Sequence, residues 1–471
     1  MDKEFIITYI QEKNYWWKKA TIEKEDKGIK RDNYIDRILK IIPLDRIICL
    51  SGIRRCGKTT LLYQLTDTLL QQGKNPKQIL YIKLDDLIGK IEDIRDIIQI
   101  YQELTGIDPK KEQIFFIIDE IQVQNNWQYQ LKYFIDGRYK SKFIISGSSK
   151  TLLYKNASES LAGRIRFIDI FPLTFSEFIT FNEKNIDIKH IKSPTFENIQ
   201  GYYHQLLPNK EVILHLLRTY KEVGGFPEWF TIKNKKQWHQ ILFEDYLSLI
   251  LFKDIVFTYK IKDPFLLEKM VSDLASFSTN RANYSKLSDR LDADRETIKL
   301  YLHYLESSGL IFIAEVYFKS KKARERIAKK IYFWEEGLRK AITLDTDDGK
   351  AMENIVAWHT MKYMREKQVF SHPSYWKNTY EVDFILDIKK PIPIEVKYQH
   401  NPTDIKGLIE FCKKFKTEKG IVVTKDTFKK ETIENTEVWF IPLWLYLLII
   451  ETGILPSTED TKLLNDDEQY T

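Results

Sequence analysis

The 471-residue chain is poor in cysteine, in net charge and in long apolar runs, and each shortage removes a class of protein. Three cysteines, Cys49, Cys56 and Cys412, are too few for a disulfide framework or a Cys-only zinc site, which fits a reducing compartment. Lys and Arg number 73 against 67 Asp and Glu, a net charge of only +6, so there is no global field strong enough to coat nucleic acid. Any such contact must come from local basic patches. The longest apolar run, Phe440 to Ile450, is interrupted by Pro442 and is too short to span a bilayer. The first residues, Met1-Asp2-Lys3-Glu4-Phe5, lack a basic-then-apolar signal segment. The expectation is a cytoplasmic protein with no membrane partner. No internal repeat is visible.

Apolar material is plentiful: 43% of residues are hydrophobic and 30% charged, which excludes a disordered or fibrous chain. At roughly 150 residues per domain the length suggests about three folding units. Residues 1–40 are Lys-rich and helical in pattern, an N-terminal arm with the aromatics Tyr15, Trp16 and Trp17. From residue 41 to 182, β-branched runs alternate with amphipathic stretches, predicting a parallel sheet with crossover helices. Residues 183–262 read as a polar linker and a helical lid, 263–345 as helices followed by two strands, 346–456 as α/β again, and 457–471 as an acidic, solvated tail.

The strand Ile47–Ser51 runs into Gly52-Ile53-Arg54-Arg55-Cys56-Gly57-Lys58-Thr59, which fits G-x-x-x-x-G-K-[ST], and Thr60 continues into a helix. Glycines let the backbone wrap closely, so successive N–H groups point at phosphate oxygens. The helix start offers its positive dipole end to the same anion. Lys58 is expected to neutralise the β- and γ-phosphates of ATP, and Thr59 to ligate Mg²⁺. Cys56 reads as a small loop residue rather than a redox group.

Ile114 to Ile118 is a continuous apolar run, the mark of a central strand buried on both faces, and it ends in Asp119-Glu120. Carboxylates there emerge at the sheet edge where ligands bind. Asp119 is expected to hold the Mg²⁺ shell and Glu120 to polarise the attacking water. The next strand ends in Ser146-Gly147-Ser148-Ser149, where Ser148 is a candidate sensor of the γ-phosphate. Arg164 is a candidate arginine finger, acting in cis or in trans; the alternative is a surface salt bridge.

Together Ser51–Leu62, the Ile79–Asp86 strand, Phe116–Glu120 and Leu161-Ala162-Gly163-Arg164 with Phe171–Phe178 resemble the AAA-type archaeal and bacterial ATPase family, whose members carry a C-terminal domain of uncharacterised function. Val223–Glu228, Leu251–Ile255, Lys330–Leu338 and the Glu381–Lys397 stretch look like the marks of that companion domain. The resemblance covers about residues 40 to 450. It implies ATP hydrolysis and leaves the biological substrate open. Two departures stand out: Lys253 occupies a position where Arg is expected, and Trp334-Glu335-Glu336 replaces an Asp-containing turn, so no catalytic role is assigned there.

Within 263–345, Asn283–Leu291 predicts a helix with Tyr284, Leu287 and Leu291 inward. Asp294 is a candidate N-cap for a second helix, with Ile298, Tyr301, Leu302 and Leu305 on one face and Gly309 closing it. Ile311–Phe318, the basic run Lys319–Arg326 and Lys330–Trp334 follow. Two helices and a hairpin with a basic tip predict a winged helix, which can lay its second helix in a major groove of DNA. Asp294, Glu296 and Glu306 on that helix repel phosphate, and packing against the ATPase core is the competing expectation.

Beyond residue 346, Glu353 lies on an amphipathic helix, Asp383 on the strand Glu381–Leu386, and Glu395 and Lys397 on Ile394–Lys397. Side chains alternate along a strand, so Glu395 and Lys397 share a face. A hairpin centred on Lys389 or Lys390 brings Asp383 to that same face, whereas a one-residue slip turns it away. The cluster resembles the restriction-endonuclease-like fold with its Asp…Glu-x-Lys motif. That resemblance implies carboxylates holding Mg²⁺ or Mn²⁺ and a lysine acting on water. The alternative is a hairpin with charged residues facing solvent.

The fold class expected is therefore a multidomain α/β protein with a P-loop parallel-sheet core, a helical lid, a winged helix and a restriction-endonuclease-like domain. Two functions compete: a nucleotide-driven, DNA-directed protein with a metal-dependent nuclease module, and a regulatory ATPase whose C-terminal modules bind protein partners and cut nothing. Further copies of the chain are candidate partners in either case.

Overall fold

The computed structural model describes residues 3–148, 153, 157, 160–182, 186–188, 195–317, 328–343, 345–367, 373–387 and 390–452. The basic run Lys319–Arg326, Phe318, Ser149, Lys389 and the acidic tail lie outside the described residues, as does part of the 183–200 linker. The chain divides into two compact units. One comprises Met1–Pro172 with Lys253–Thr258 and Ser307–Gly309, and the other Leu173–Phe252, Tyr259–Glu306 and Leu310–Thr471.

The first unit is built on five parallel strands: β1 (Ile47–Ser51), β2 (Ile79–Lys83), β3 (Ile114–Asp119), β4 (Ser141–Gly147) and β5 (Ile165–Asp169), in the order β2-β3-β4-β1-β5. Parallel neighbours need crossover connections. The amphipathic helices Lys58–Gln71, Ile94–Thr105 and Trp127–Asp136 fall between successive strands. Every residue of β1 and β3 is buried, as their unbroken apolar runs require. Because all five strands run the same way, the chain leaves β1, β3 and β4 at one edge of the sheet.

β2 lies at the sheet margin, where its outer N–H and C=O groups have no strand among the described residues to pair with. The N-terminal arm supplies the missing partners. Asn14 is fully buried; its amide accepts from Tyr81 N at 2.7 Å and donates to Tyr81 O at 3.0 Å, mimicking a neighbouring strand. The Tyr9 hydroxyl does the same for Lys83, with both contacts at 3.0 Å, and the indole N–H groups of Trp16 and Trp17 donate to Ile79 O. The aromatic cluster of the arm is thus an edge cover, a role its helical periodicity does not reveal.

The second unit carries a nine-stranded mixed sheet, ordered β13-β14-β12-β11-β10-β9-β7-β8-β6. Its strands are β6 (Arg281–Ala282), β7 (Ile311–Val316), β8 (Lys329–Phe333), β9 (Ser374–Lys377), β10 (Glu381–Leu386), β11 (Ile392–Lys397), β12 (Lys419–Thr424), β13 (Lys429–Ile433) and β14 (Thr436–Pro442). Helices Pro264–Phe277, Tyr284–Leu291 and Arg295–Ser307 precede β7, with β6 between the first two. Asp294 accepts from the backbone N–H of Glu296 and Thr297 at 3.0 and 2.9 Å, as an N-cap does. β7 pairs antiparallel with β8 and parallel with β9, so strands of the expected 263–345 and 346–456 modules share one sheet. The β10–β11 hairpin pairs Leu386 with Ile392 and Phe384 with Ile394, which puts its midpoint at residue 389.

Glu335 explains why the Gly224-Gly225 and Trp334–Leu338 segments go together. Its buried carboxylate accepts from Gly225 N and Leu338 N, both at 2.6 Å, and burial pushes it up to about 7. Its role is to join the Gly224-Gly225 turn to the start of the helix Glu336–Thr343 within the second unit.

Replacing Asn14 with Ala leaves both main-chain groups of Tyr81 buried without partners. The expected loss is about 1–3 kcal/mol of stability, read from the urea midpoint of unfolding. An unchanged midpoint would mean that the arm does not cover β2 in solution.

Candidate functional site

The chain turns from β1 into the loop Gly52–Lys58. A Cβ at Gly52 would collide with the carbonyl oxygen of Ile170, and Gly57 has φ +94°, a backbone that favours glycine. These two positions let the loop curl tightly before the helix Lys58–Gln71 begins. Ile53 and Cys56 are buried, and the Cys56 thiol rests 3.4 Å from Ile170 O, its pKa pushed up by burial. Such a thiol is poorly suited to redox work. Arg55 also adopts positive φ, 62°, and Thr60 follows Thr59 in the first turn of the helix. The Lys58 ammonium is buried and donates to the carbonyls of Gly52 at 2.8 Å and Ile53 at 3.0 Å.

Asp119, the last residue of β3, is the meeting point of hydroxyls from three directions. Thr59 Oγ1 donates to its Oδ2 at 2.6 Å, Tyr81 from β2 donates to the same oxygen at 3.1 Å, and Ser146 from β4 bonds Oδ1. Burial pushes the Asp119 carboxyl up, partly offset by the hydroxyls of Ser146 and Thr59. The next residue, Glu120, stands at φ +57° and is bonded through its side chain to Gln122. Burial opposes its ionisation, but Lys58, Arg54 and the Gln122 amide hold it below the usual carboxylate range. An ionised carboxylate beside an ammonium and a hard-oxygen pair of hydroxyl and carboxylate therefore share one sheet edge. The Thr59–Asp119 donor set suits Mg²⁺, which takes oxygen ligands from few side chains and keeps waters.

Ser148 is buried and links two side chains: its Oγ lies 3.2 Å from Gln122 Nε2 and 3.3 Å from Asp254 Oδ1. Asp254 in turn accepts from Arg54 Nε at 2.8 Å with both oxygens. A polar chain thus runs Glu120–Gln122–Ser148–Asp254–Arg54. Gln122 and Asp254 carry no motif of their own. The only signal for Asp254 was its place in Leu251–Ile255.

Arg164 lies elsewhere. It immediately precedes β5, and the pairing of Ile47 with Ile165 sets it at the opposite end of the strands from the loop. Its guanidinium pairs with Asp136 on an exposed surface. Within one chain it therefore does not join the phosphate site, and the salt-bridge expectation describes its position.

In the second unit the hairpin register carries Asp383 opposite Glu395, next to the Phe384–Ile394 pair. Lys397 bonds Glu395 Oε1 at 2.7 Å, and Val396 N donates to Asp383 Oδ2 at 2.9 Å. Glu353 arrives from the helix Asp348–Glu366, so the four expected residues do converge. A fifth converges with them. The Lys330 ammonium, from β8, lies 3.0 Å from Glu353, 2.9 Å from Glu381 and 3.1 Å from Asp383. The four carboxylates Glu353, Glu381, Asp383 and Glu395 outnumber the cations that meet them, Lys330, Lys397 and Arg281, which leaves negative charge uncompensated. Burial, reinforced by Asp383, pushes Glu353 up to about 7 and Glu395 up to about 8. Among the described residues no group of three or more His, Cys, Asp and Glu side chains is arranged to hold a metal ion. The Mg²⁺ or Mn²⁺ expected here does not fit, because Glu353 and Asp383 already converge on Lys330 and Glu395 is held by Lys397. Nor, among the described residues, is any helix long and apolar enough to cross a membrane.

Residues 44–179 match the model of a family described as an AAA domain. Residues 214–348 and 348–446 match two families, each described as a domain of unknown function, DUF8612 and DUF4143. An uncharacterized protein of Haemophilus influenzae is 26% identical over 428 residues, 88% of this chain and 98% of that one. Two uncharacterized proteins of Methanocaldococcus jannaschii are 27% and 26% identical over 448 and 446 residues, each covering 91% of this chain, and 92% and 90% of their own lengths. Among solved structures, Caenorhabditis elegans PCH-2 overlays at a TM-score of 0.22, with 18% identity over 38% of this chain and 44% of that chain. The Saccharomyces cerevisiae Hsp104–ADP complex overlays at 0.29, with 12% identity over 73% and 46%. Overlays this loose carry no structural argument.

Glu353 and Glu395 lose their protons near pH 4.5 in the unfolded chain but only near 7 and 8 when folded. Between those limits the folded state binds more protons, so these groups make stability fall as pH rises, by up to about 1.4 kcal/mol per pH unit each. Glu395→Gln should therefore gain stability relative to the parent chain on going from pH 5.5 to pH 8, measured by urea unfolding. A difference independent of pH would show that Glu395 titrates normally.

Proposed function

We propose that this protein is a Mg²⁺-dependent ATP hydrolase of AAA type whose nucleotide cycle acts on a C-terminal, DNA-contacting module. The observation that carries the first half is the 2.6 Å contact of the Thr59 hydroxyl with Asp119, one residue before an ionised Glu120. Loop amides from Gly52 to Thr60 would cradle the phosphates, with the helix dipole behind them. Lys58 would exchange the carbonyls of Gly52 and Ile53 for β- and γ-phosphate oxygens. Thr59 and Asp119 would hold Mg²⁺, whose chemistry is to neutralise charge across those oxygens. Glu120 would orient water and accept its proton, with Gln122 and Ser148 fixing the carboxylate near the γ-phosphate. Arg164, set away from the loop of its own chain, would serve as a finger only in a neighbouring copy of a homo-oligomer.

Support for the DNA-contacting half is the order helix, β6, helix, helix, β7, β8, with both β6 and β7 antiparallel to β8, as a winged helix would have. The convergence of Glu353, Asp383, Glu395 and Lys397 supports a restriction-endonuclease-like module. A second reading, in which these modules bind protein partners and cut nothing, is favoured by how the basic residues are spent. Arg281 pairs with Glu381, Arg290 with Asp273 and Lys299 with Glu296, each at 3.3 Å or less, leaving fewer cations for phosphates. Labelled single-stranded, duplex and branched DNA, with and without ATP and metal, separates the two: retention without cleavage supports a DNA-contacting module, and no retention supports the second reading.

Lys58→Ala should abolish nucleotide binding. Glu120→Gln should keep binding while turnover falls by about 10²–10⁴-fold, and EDTA should stop hydrolysis by the unaltered chain. Parental turnover in the Glu120→Gln protein would remove Glu120 from the mechanism.

A further inference from the structure

Lys330 is 2% exposed, an unusual place for an ammonium. Its three N–H donors meet three carboxylates: Glu353 from the helix Asp348–Glu366, and Glu381 and Asp383 from β10, at 2.9–3.1 Å. The carboxylates have further partners. Tyr332, two residues along β8, donates to Glu353 Oε1 at 2.9 Å; Val396 N–H donates to Asp383 Oδ2 at 2.9 Å; Arg281 reaches Glu381 Oε2 at 3.3 Å. A divalent ion would need several of these oxygens drawn in to about 2.0–2.6 Å. Here they are spread to hydrogen-bond distance around nitrogen. Glu395 completes the group: one oxygen bonds Lys397, while Oε2 is buried with no hydrogen-bond partner among the described residues. The carboxylate set is thus divided between two ammoniums, with Glu353 and Asp383 on Lys330 and Glu395 on Lys397.

We propose that Lys330 is a built-in cation occupying, between Glu353 and Asp383, the position a divalent metal would take in an Asp…Glu-x-Lys site, so that this site as folded binds no metal and cleaves no phosphodiester. The proposal stands apart from the nucleotide site and does not depend on ATP hydrolysis. Its origin is in the sheet: β8 lies beside β7, which continues through β9 to β10, and alternation along β8 turns Lys330 and Tyr332 to the same face as Glu353 and Asp383. A lysine from the preceding module thus fills a site assembled by the following one.

The test is Mn²⁺ titration of the nucleotide-free, full-length protein, followed by electron paramagnetic resonance of free Mn²⁺. Titrations of the parent chain and Asp383→Asn should superimpose, since other Mn²⁺ sites cancel in the comparison. Lys330→Met, which keeps the apolar stem and removes the charge, should gain one Mn²⁺ equivalent at least 100-fold tighter than any the parent binds in this unit, and adding Asp383→Asn should abolish it. Asp383-dependent Mn²⁺ binding by the parent chain overturns the proposal, and so does a folded Lys330→Met protein that gains no ion. Should Lys330→Met not fold, the comparison of the parent with Asp383→Asn still decides.

Discussion

The carboxylate of Asp119 is the constraint on which the nucleotide-site geometry depends. It ends β3 and draws hydroxyls from β2, from β4 and from the helix that follows β1. A buried carboxylate without donors would be costly. With Tyr81, Thr59 and Ser146 around it, the same group ties β2, β3 and β4 to the helix that follows β1 and so shapes the mouth of the phosphate loop. Glu120 inherits its position from this arrangement, because the backbone turns through positive φ immediately after Asp119 and delivers the next carboxylate toward Lys58.

What was legible in the sequence was what local pattern encodes. The loop Gly52–Thr59, the buried strand before Asp119 and the cap at Asp294 each sit in a few consecutive residues, and the structure has them there. The hairpin register was open in the sequence, between centres at 389 or 390 and a one-residue slip that turns Asp383 away, and the pairing about residue 389 is one of those alternatives. The partners of these groups were not legible. Gln122, Asp254 and Lys330 reach their sites through tertiary contacts; Asp254 and Lys330 lie in segments that resemble the companion domain, but nothing local to any of the three shows which group it meets. Arg164 shows the converse: a residue beside a recognisable motif, carried by strand direction to the end of the sheet away from the loop of its own chain.

The second unit carries the same lesson in its energetics. Read along the chain, the Lys330–Leu338 segment and the Glu381–Lys397 stretch looked like features of separate modules. In space, β8 delivers an ammonium to carboxylates of β10 and of the helix Asp348–Glu366, and one sheet runs through both. A buried ion cluster of this kind adds little net stability when complete, but it penalises the loss of any member. It therefore fixes how the strands assemble more than how firmly they hold.

The central claim, that Asp119 and Thr59 together present a divalent ion to a triphosphate gripped by Lys58, is tested most directly by isothermal calorimetry of ATP with and without Mg²⁺. The account predicts that Mg²⁺ tightens ATP binding by the parent chain and that this increment disappears in both Thr59→Ala and Asp119→Asn. Equal affinity with and without Mg²⁺ in the parent chain, or an increment that survives both substitutions, would contradict it.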